Sequence, residues 1–296
     1  MIVLLLRAMR PKQWIKNGFV LAALIFSRHL FEVSYVWRSV AAAGIFCILS
    51  GAIYLINDIF DRENDQSHPE KRNRPIASGA LSVKAAGVSA VFLVAASLIA
   101  AFQLDTRFGI VSTIYWALNL AYSISLKQVV ILDVMIIASG FLLRAVGGAF
   151  AIDVSISSWF VLCTMLLALF LGFVKRRQEL TLLEQDAVDH RQILKEYDPA
   201  FLDQAIGIVT ASALVSYALY TMSPETATKL GTEHLNFTVP FVIYGLLRYL
   251  YLVHVKGEGG NPASTLLGDT PLLINGLLWL FTLVAVLYFG SSDGAR

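Results

Sequence analysis

Six uncharged runs constrain what this chain can fold into. Residues 39–57, 85–104, 108–126, 154–174, 204–224 and 270–292 hold no Asp, Glu, Lys or Arg. Each is close to the ~20 residues that an α-helix needs to cross ~30 Å of hydrocarbon. Only 15% of the 296 residues are charged, against about a quarter in soluble domains. A soluble core of buried helices would need far more polar outer faces than these runs offer. Three further stretches are less pure: 13–27 follows a basic start, 129–152 contains Asp133 and Arg144, and 235–255 contains Arg248. Together they predict an all-α integral membrane protein of about nine transmembrane helices, forming a single domain over 1–296 with no low-complexity linker.

The start, MIVLLLRAMRPKQW, has too short an apolar stretch for a cleaved signal peptide and no small-residue cleavage site. Cys47 and Cys163 both lie within apolar runs, so no disulfide is expected and the cysteines say nothing about compartment. The formal net charge is only +2; its distribution is more telling. With nine spans, 17 of the 23 Lys and Arg residues fall on the side of the N-terminus, while Arg28, Arg38, Arg107, Lys229 and Arg296 fall opposite and Arg144 lies within a span. The positive-inside rule then places the N-terminal side in the cytoplasm. The long polar connections 61–84 and 175–203 share that face with 254–269. The expectation is a multi-pass inner or plasma membrane protein with a cytoplasmic working face.

At that face the stretch INDIFDREND, residues 56–65, ends an apolar run with Asp58, Asp61, Glu63 and Asp65. On a helix Asn57, Asp61 and Asp65 share one stripe, with Asp58 beside Asp61. Like charges on one stripe repel unless a cation lies between them. Oxygen-only ligands suit Mg²⁺, which binds through one or two carboxylates and completes its shell with water and substrate phosphates; Mn²⁺ is the expected substitute. A solvated helix end is the ordinary reading of such a cluster. Its continuity with a membrane run favours function, because ionisable groups are costly there. Asn57, Asp58, Asp61 and Asp65 are therefore the predicted metal residues, and the three aspartates the catalytic ones.

Cations follow in HPEKRNRPIASG, residues 68–79, where Lys71, Arg72 and Arg74 stand in a Pro- and Gly-rich loop. Arginine forks match phosphate oxygens, and lysine acts as a point charge. In RPKQWIKN, residues 10–17, Trp14 suits the bilayer interface and Lys16 a substrate contact. In YSISLKQVVILD, residues 122–133, Tyr122 and Lys127 are candidates to face a cytoplasmic cavity. Arg144 shares a helix face with Asp133 at a spacing too long for direct pairing, so it needs a partner on another helix or a water-filled cavity; it is counted, with Asn57, among the predicted substrate-binding residues. Lys175, Arg176 and Arg177 close the sixth span; they either snorkel to headgroups or form a second phosphate site.

NDIFDREND resembles the NDxxDxxxD signature of the UbiA superfamily of intramembrane prenyltransferases, at Asn57, Asp58, Asp61 and Asp65. RPKQWIKN, HPEKRNRPIASG, YSISLKQVVILDV, LLRAVGGA, KRRQEL and the late GEGGNPASTLLGD are together similar to its decaprenyl-phosphate phosphoribosyltransferase branch. The resemblance implies a UbiA-like helical bundle with the active site on the cytoplasmic side. Aromatic prenyltransferases of the superfamily carry a second aspartate-rich motif after the sixth span. Here that place begins with Lys175-Arg176-Arg177, and Asp186 and Asp189 follow at DxxD spacing.

One metal nest opposite a basic cluster matches one diphosphate and separate phosphates. The resemblance thus implies Mg-dependent transfer of 5-phosphoribose from phosphoribosyl pyrophosphate (PRPP) to a polyprenyl phosphate, for arabinan-type cell-wall precursors. Lys71, Arg72, Arg74, Lys175, Arg176 and Arg177 would position the phosphates, with either cluster serving either substrate. The partners expected are PRPP, polyprenyl phosphate and membrane lipid; no nucleic acid is expected, and an oligomer is left open. The competing readings are prenyl transfer from a prenyl diphosphate to an aromatic acceptor, and a transporter lined by Asp133 and Arg144. The gathering of polar groups at one face disfavours the transporter, whose charges would sit at the midplane.

Overall fold

The computed structural model describes residues 1–67, 71–185, 192–257, 265, 266 and 268–290. Among them the chain is helical, with no strand. It opens with α1 (Ile2–Ala8), a 3₁₀ run (Pro11–Leu21) and the short α2 (Ala22–Phe26). Then come α3 (Val33–Phe60), α4 (Arg62–Ser67), α5 (Val83–Leu104), α6 (Thr106–Ile124) and α7 (Leu132–Ala151). The remaining helices are α8 (Ser158–Gln185), α9 (Pro199–Met222), α10 (Pro224–Leu230), α11 (Val239–His254) and α12 (Thr270–Phe289).

Local chemistry sets several of the ends. The Ser82 hydroxyl accepts from the Ala85 N–H at 3.2 Å and starts α5. Asp105 accepts from the N–H groups of Arg107 at 2.8 Å and Phe108 at 3.0 Å and starts α6. Asp198 before Pro199 and Asp269 before Thr270-Pro271 do the same for α9 and α12. Each is the N-cap chemistry that satisfies donors left open at a helix start, and proline suits the first turn because its missing N–H is not needed there. Burial alone would raise the Asp105 carboxyl; the Phe108 N–H and the Arg107 side chain outweigh it and hold the group below its ordinary value.

Seven helices are long and apolar enough to cross a membrane among the described residues: Val33–Phe60, Val83–Leu104, Leu132–Ala151, Ser158–Thr181, Pro199–Met222, His234–His254 and Thr270–Phe289. The count of nine is not confirmed. The stretch expected at 13–27 is a 3₁₀ run followed by the five-residue α2, not one long α-helix. The stretch expected at 108–126 is the 19-residue α6, whose Arg107, Asn119, serines and threonines dilute its apolar content.

The described chain forms two compact units, the first built from Met1–Leu24 and Glu32–Ser155, the second from Ile25–Phe31 and most of the chain after Ser155. In the first, α3 is central and packs on α5, α6, α7 and the 3₁₀ run. Phe46 of α3 meets Phe108 edge-on at 5.6 Å and Tyr115 at 5.2 Å, an arrangement that aromatic quadrupoles favour. The 3₁₀ run approaches α7 so closely that a Cβ on Gly148 would overlap the Val20 carbonyl oxygen. A second cluster of Ala8, Met9, Leu55, Ile76, Leu81, Ala86 and Ala90 binds α1 and the 74–81 loop to α3 and α5. In the second unit α8 packs on α9, and α11 on α12 and α9. Its core includes Tyr217, Leu235, Leu283 and Leu287.

Candidate functional site

The acids lie where α3 runs out. Helix α3 ends at Phe60 and Asp61 is a turn residue, yet the Asp61 N–H still donates to the Asn57 carbonyl at 2.9 Å and the Asp65 N–H to that of Asp61 at 2.8 Å. The helical spacing inferred from sequence thus continues through the junction with α4. Asp58 is 1% exposed and Asp65 4%. Carboxylates so enclosed need countercharges, and three arrive from three other segments. Arg10 donates through Nη2 to Asp58 Oδ1. Arg74 Nη1 donates to Asp58 Oδ1 at 3.2 Å and to Asp65 Oδ2 at 2.5 Å. Lys127 Nζ reaches Asp61 Oδ1 at 2.5 Å, while the Asn57 amide donates to Asp61 Oδ2 at 2.9 Å.

The 74–81 loop is tied down to bring Arg74 there. The Leu81 N–H donates to the Pro75 carbonyl at 2.7 Å, the Gln66 amide donates to the Ala77 carbonyl at 3.0 Å, and Ile76 and Ala77 are buried. Gly79 turns the chain at φ +78°, a conformation that side chains with a Cβ resist. Lys127 arrives on the short link between α6 and α7.

A metal was expected among these acids. Arg74 Nη1 bonds both Asp58 and Asp65, so these two carboxylates already converge on one positive centre. Asp61 turns its oxygens to Lys127 and Asn57 instead. Among the described residues no three acidic, His or Cys side chains converge closely enough to hold a metal alone. Two convergent carboxylates with hard oxygen donors nonetheless fit Mg²⁺, which needs no more than one or two when phosphates and waters supply the rest.

The structure therefore gathers Asn57, Asp58, Asp61, Asp65, Arg74 and Lys127. Lys16, Lys71 and Tyr122 are half-buried in the same unit and Arg72 is exposed. Arg144 has a different setting. It is 7% exposed, and its guanidinium donates to Asn17 Oδ1 at 2.8 Å, the Gly140 carbonyl at 2.9 Å and the Tyr115 hydroxyl at 2.6 Å. It also lies over the Tyr115 ring at 4.7 Å. These partners make it a clamp between the 3₁₀ run, α6 and α7. Arg10 is not among the site residues that the sequence singles out. Its one legible signal was a place beside Pro11 in a basic, Trp-bearing motif.

In the second unit the basic run is equally well supplied with carboxylates. Arg176 is fully buried and donates to Glu179, and Lys175 Nζ lies 3.8 Å from the same side chain. Arg177 donates to Asp203 Oδ1 at 2.8 Å and to the Thr181 hydroxyl at 2.6 Å. Asp186, Asp189 and most of GEGGNPASTLLGD lie outside the described residues, as do His68, Pro69 and Glu70 of HPEKRNRPIASG.

The UbiA prenyltransferase family matches residues 18–264. The chain belongs to that family. Within it, the decaprenyl-phosphate phosphoribosyltransferase of Mycolicibacterium smegmatis is 35% identical over 294 residues, covering 96% of this chain and 92% of that one. The enzyme of the same name from Corynebacterium glutamicum is 35% identical, covering 96% and 86%. A UbiA homologue from Archaeoglobus fulgidus, solved with GPP and Mg²⁺ bound, matches with a TM-score of 0.70 at 17% identity, covering 96% of this chain and 100% of that one. At that identity the likeness establishes the UbiA fold. The all-helical architecture and the membrane character expected from the uncharged runs accord with it.

Proposed function

We propose that this UbiA-family chain transfers 5-phosphoribose from PRPP to the phosphate of a polyprenyl lipid and releases diphosphate. What carries the reading is the 35% identity, across 96% of the chain, to proteins named for such a transfer. The acid cluster supports it, because a diphosphate leaving group calls for cations held by carboxylates. Asp58 and Asp65 would hold Mg²⁺, or Mn²⁺ in its place, with Asp61 completing the set and Asn57 fixing the Asp61 carboxylate. Bound there, the ion supplies Lewis-acid neutralisation of the leaving diphosphate. The Mg²⁺ in the A. fulgidus structure supports this choice.

The chain's own residues do the positioning. Arg74 and Lys127 exchange their carboxylate contacts for diphosphate oxygens. Lys16, Lys71, Arg72 and Tyr122, with Lys175, Arg176 and Arg177, orient the remaining phosphates. Arg144 serves as scaffold, fastening the 3₁₀ run, α6 and α7 to one another. The anomeric C–O bond to diphosphate breaks through an oxocarbenium-like transition state, as in other glycosyl transfers, and a C–O bond to the lipid phosphate forms. The nucleophile is already anionic, so no strong base is required. Positioning and electrostatics together supply most of the acceleration. The acidic end faces the cytoplasm of a plasma membrane, a placement that rests on the Lys and Arg distribution.

A substrate exchange tests the reading. Purified protein given Mg²⁺, PRPP and a long polyprenyl phosphate is expected to form a lipid of the mass of polyprenylphosphoryl-5-phosphoribose. Product from a prenyl diphosphate and an aromatic acceptor, with none from PRPP, would replace the reading by prenyl transfer.

A further inference from the structure

On the α1 side of the carboxylates lies an open depression of about 190 Å³ whose lining includes Arg7, Arg10, Asp58, Asn73 and Arg74. Three guanidiniums face one carboxylate there, so the depression is positively charged. Few of its donors are used. Among the described residues Arg7 makes no side-chain hydrogen bond or ion pair, and Arg10 bonds only through Nη2, to Asp58. Arg10 is also held in place. Its backbone is left-handed at φ 54° before Pro11, a strained state for an arginine, and its guanidinium stacks on the Tyr54 ring at 4.9 Å. Unused arginine forks set at fixed points suit phosphate oxygens.

Two observations narrow the occupant. The volume is below the ~300–1,000 Å³ of pockets that enclose a whole drug-sized ligand, so it accommodates a phosphate head rather than all of PRPP. The helix that carries Arg7 also presents Ile2 at 71% exposure, Val3 at 78% and Leu6 at 45%, an apolar surface beside the cations. The chemistry that matches both is a phosphate monoester with a hydrocarbon tail. Resting on the phosphoribosyl-transfer reading, we propose that the Arg7–Arg10–Asn73 depression holds the phosphate head of the polyprenyl phosphate acceptor. The donor's diphosphate is thereby left to Asp58, Asp61 and Asp65.

Arg7→Gln is the cleanest probe, because Arg7 has no protein partner to lose among the described residues. Binding is read first, with radiolabelled polyprenyl phosphate in detergent and EDTA, so that neither metal nor turnover is involved. The expected result is affinity weakened ~5–10-fold, the loss of one charge-assisted contact, and weakened further in Arg7→Gln/Arg10→Lys. A matching rise in KM for polyprenyl phosphate, with KM for PRPP unmoved, is expected in the transfer assay. Unchanged binding of polyprenyl phosphate overturns the assignment, as does a rise in KM for PRPP alone. If inorganic phosphate competes as well as the lipid does, the tail has no part and the lipid assignment falls. If Arg7→Gln lowers only partition onto phosphatidylglycerol vesicles, the arginine serves bulk headgroups and the assignment also falls. Absence of any phosphoribosyl transfer by wild-type protein would instead strike the functional reading, while the EDTA binding experiment still reports on the depression.

Discussion

At Asp61 the two carboxylate oxygens have different partners, Lys127 at 2.5 Å and the Asn57 amide at 2.9 Å. Replacing the carboxylate by an amide of the same shape removes the charge and leaves the packing. Asp61→Asn is therefore expected to lower turnover by about 10²–10³-fold or more, the scale of one lost electrostatic group in an active site. Helical content and thermal midpoint should stay near wild type, and normal turnover by folded Asp61→Asn would remove Asp61 from the chemistry. The acids were legible because Asn57, Asp58, Asp61 and Asp65 are close in sequence and their helical spacing survives the α3–α4 junction. Arg10 was not, because its contact with Asp58 spans 48 positions and its place beside Pro11 alone does not reveal that contact.

Among the elements, the 3₁₀ run differs most from expectation. Its composition reads as a membrane span, but Pro11 opens it and the close approach to Gly148 holds it against α7, a tertiary contact that periodicity does not encode. Arg144 fastens this run at Asn17 and fastens α6 at Tyr115. Arg144→Leu would leave Asn17 and Tyr115 without their buried partner, which is expected to destabilise the protein by about 2 kcal/mol or more. A lowered thermal midpoint with an unchanged KM for both substrates in the folded fraction is the predicted result. A raised KM at unchanged stability would return Arg144 to the substrate site. The helices themselves were readable from uncharged runs.

For the whole molecule, the scarcity of charge marks a membrane protein, and its crowding toward a few stretches marks the candidate site residues. The number of spans was less legible, since helices such as α6 mix apolar and polar residues and their fate depends on what covers them. The partner of Arg177 was likewise hidden, since Asp203 lies 26 positions along the chain, whereas Glu179, which meets Lys175 and Arg176, follows them at helical spacing. The account as a whole depends on one bond, the anomeric C–O bond of PRPP. The most direct test supplies two samples of PRPP, one labelled in the ribose and one in the β-phosphate, with Mg²⁺ and polyprenyl phosphate, followed by organic extraction. Ribose label should enter the organic phase and diphosphate label remain in water as free diphosphate, both dependent on metal and lost in EDTA. Both labels in the organic phase, or neither from a folded and lipid-supplied sample, would contradict phosphoribosyl transfer.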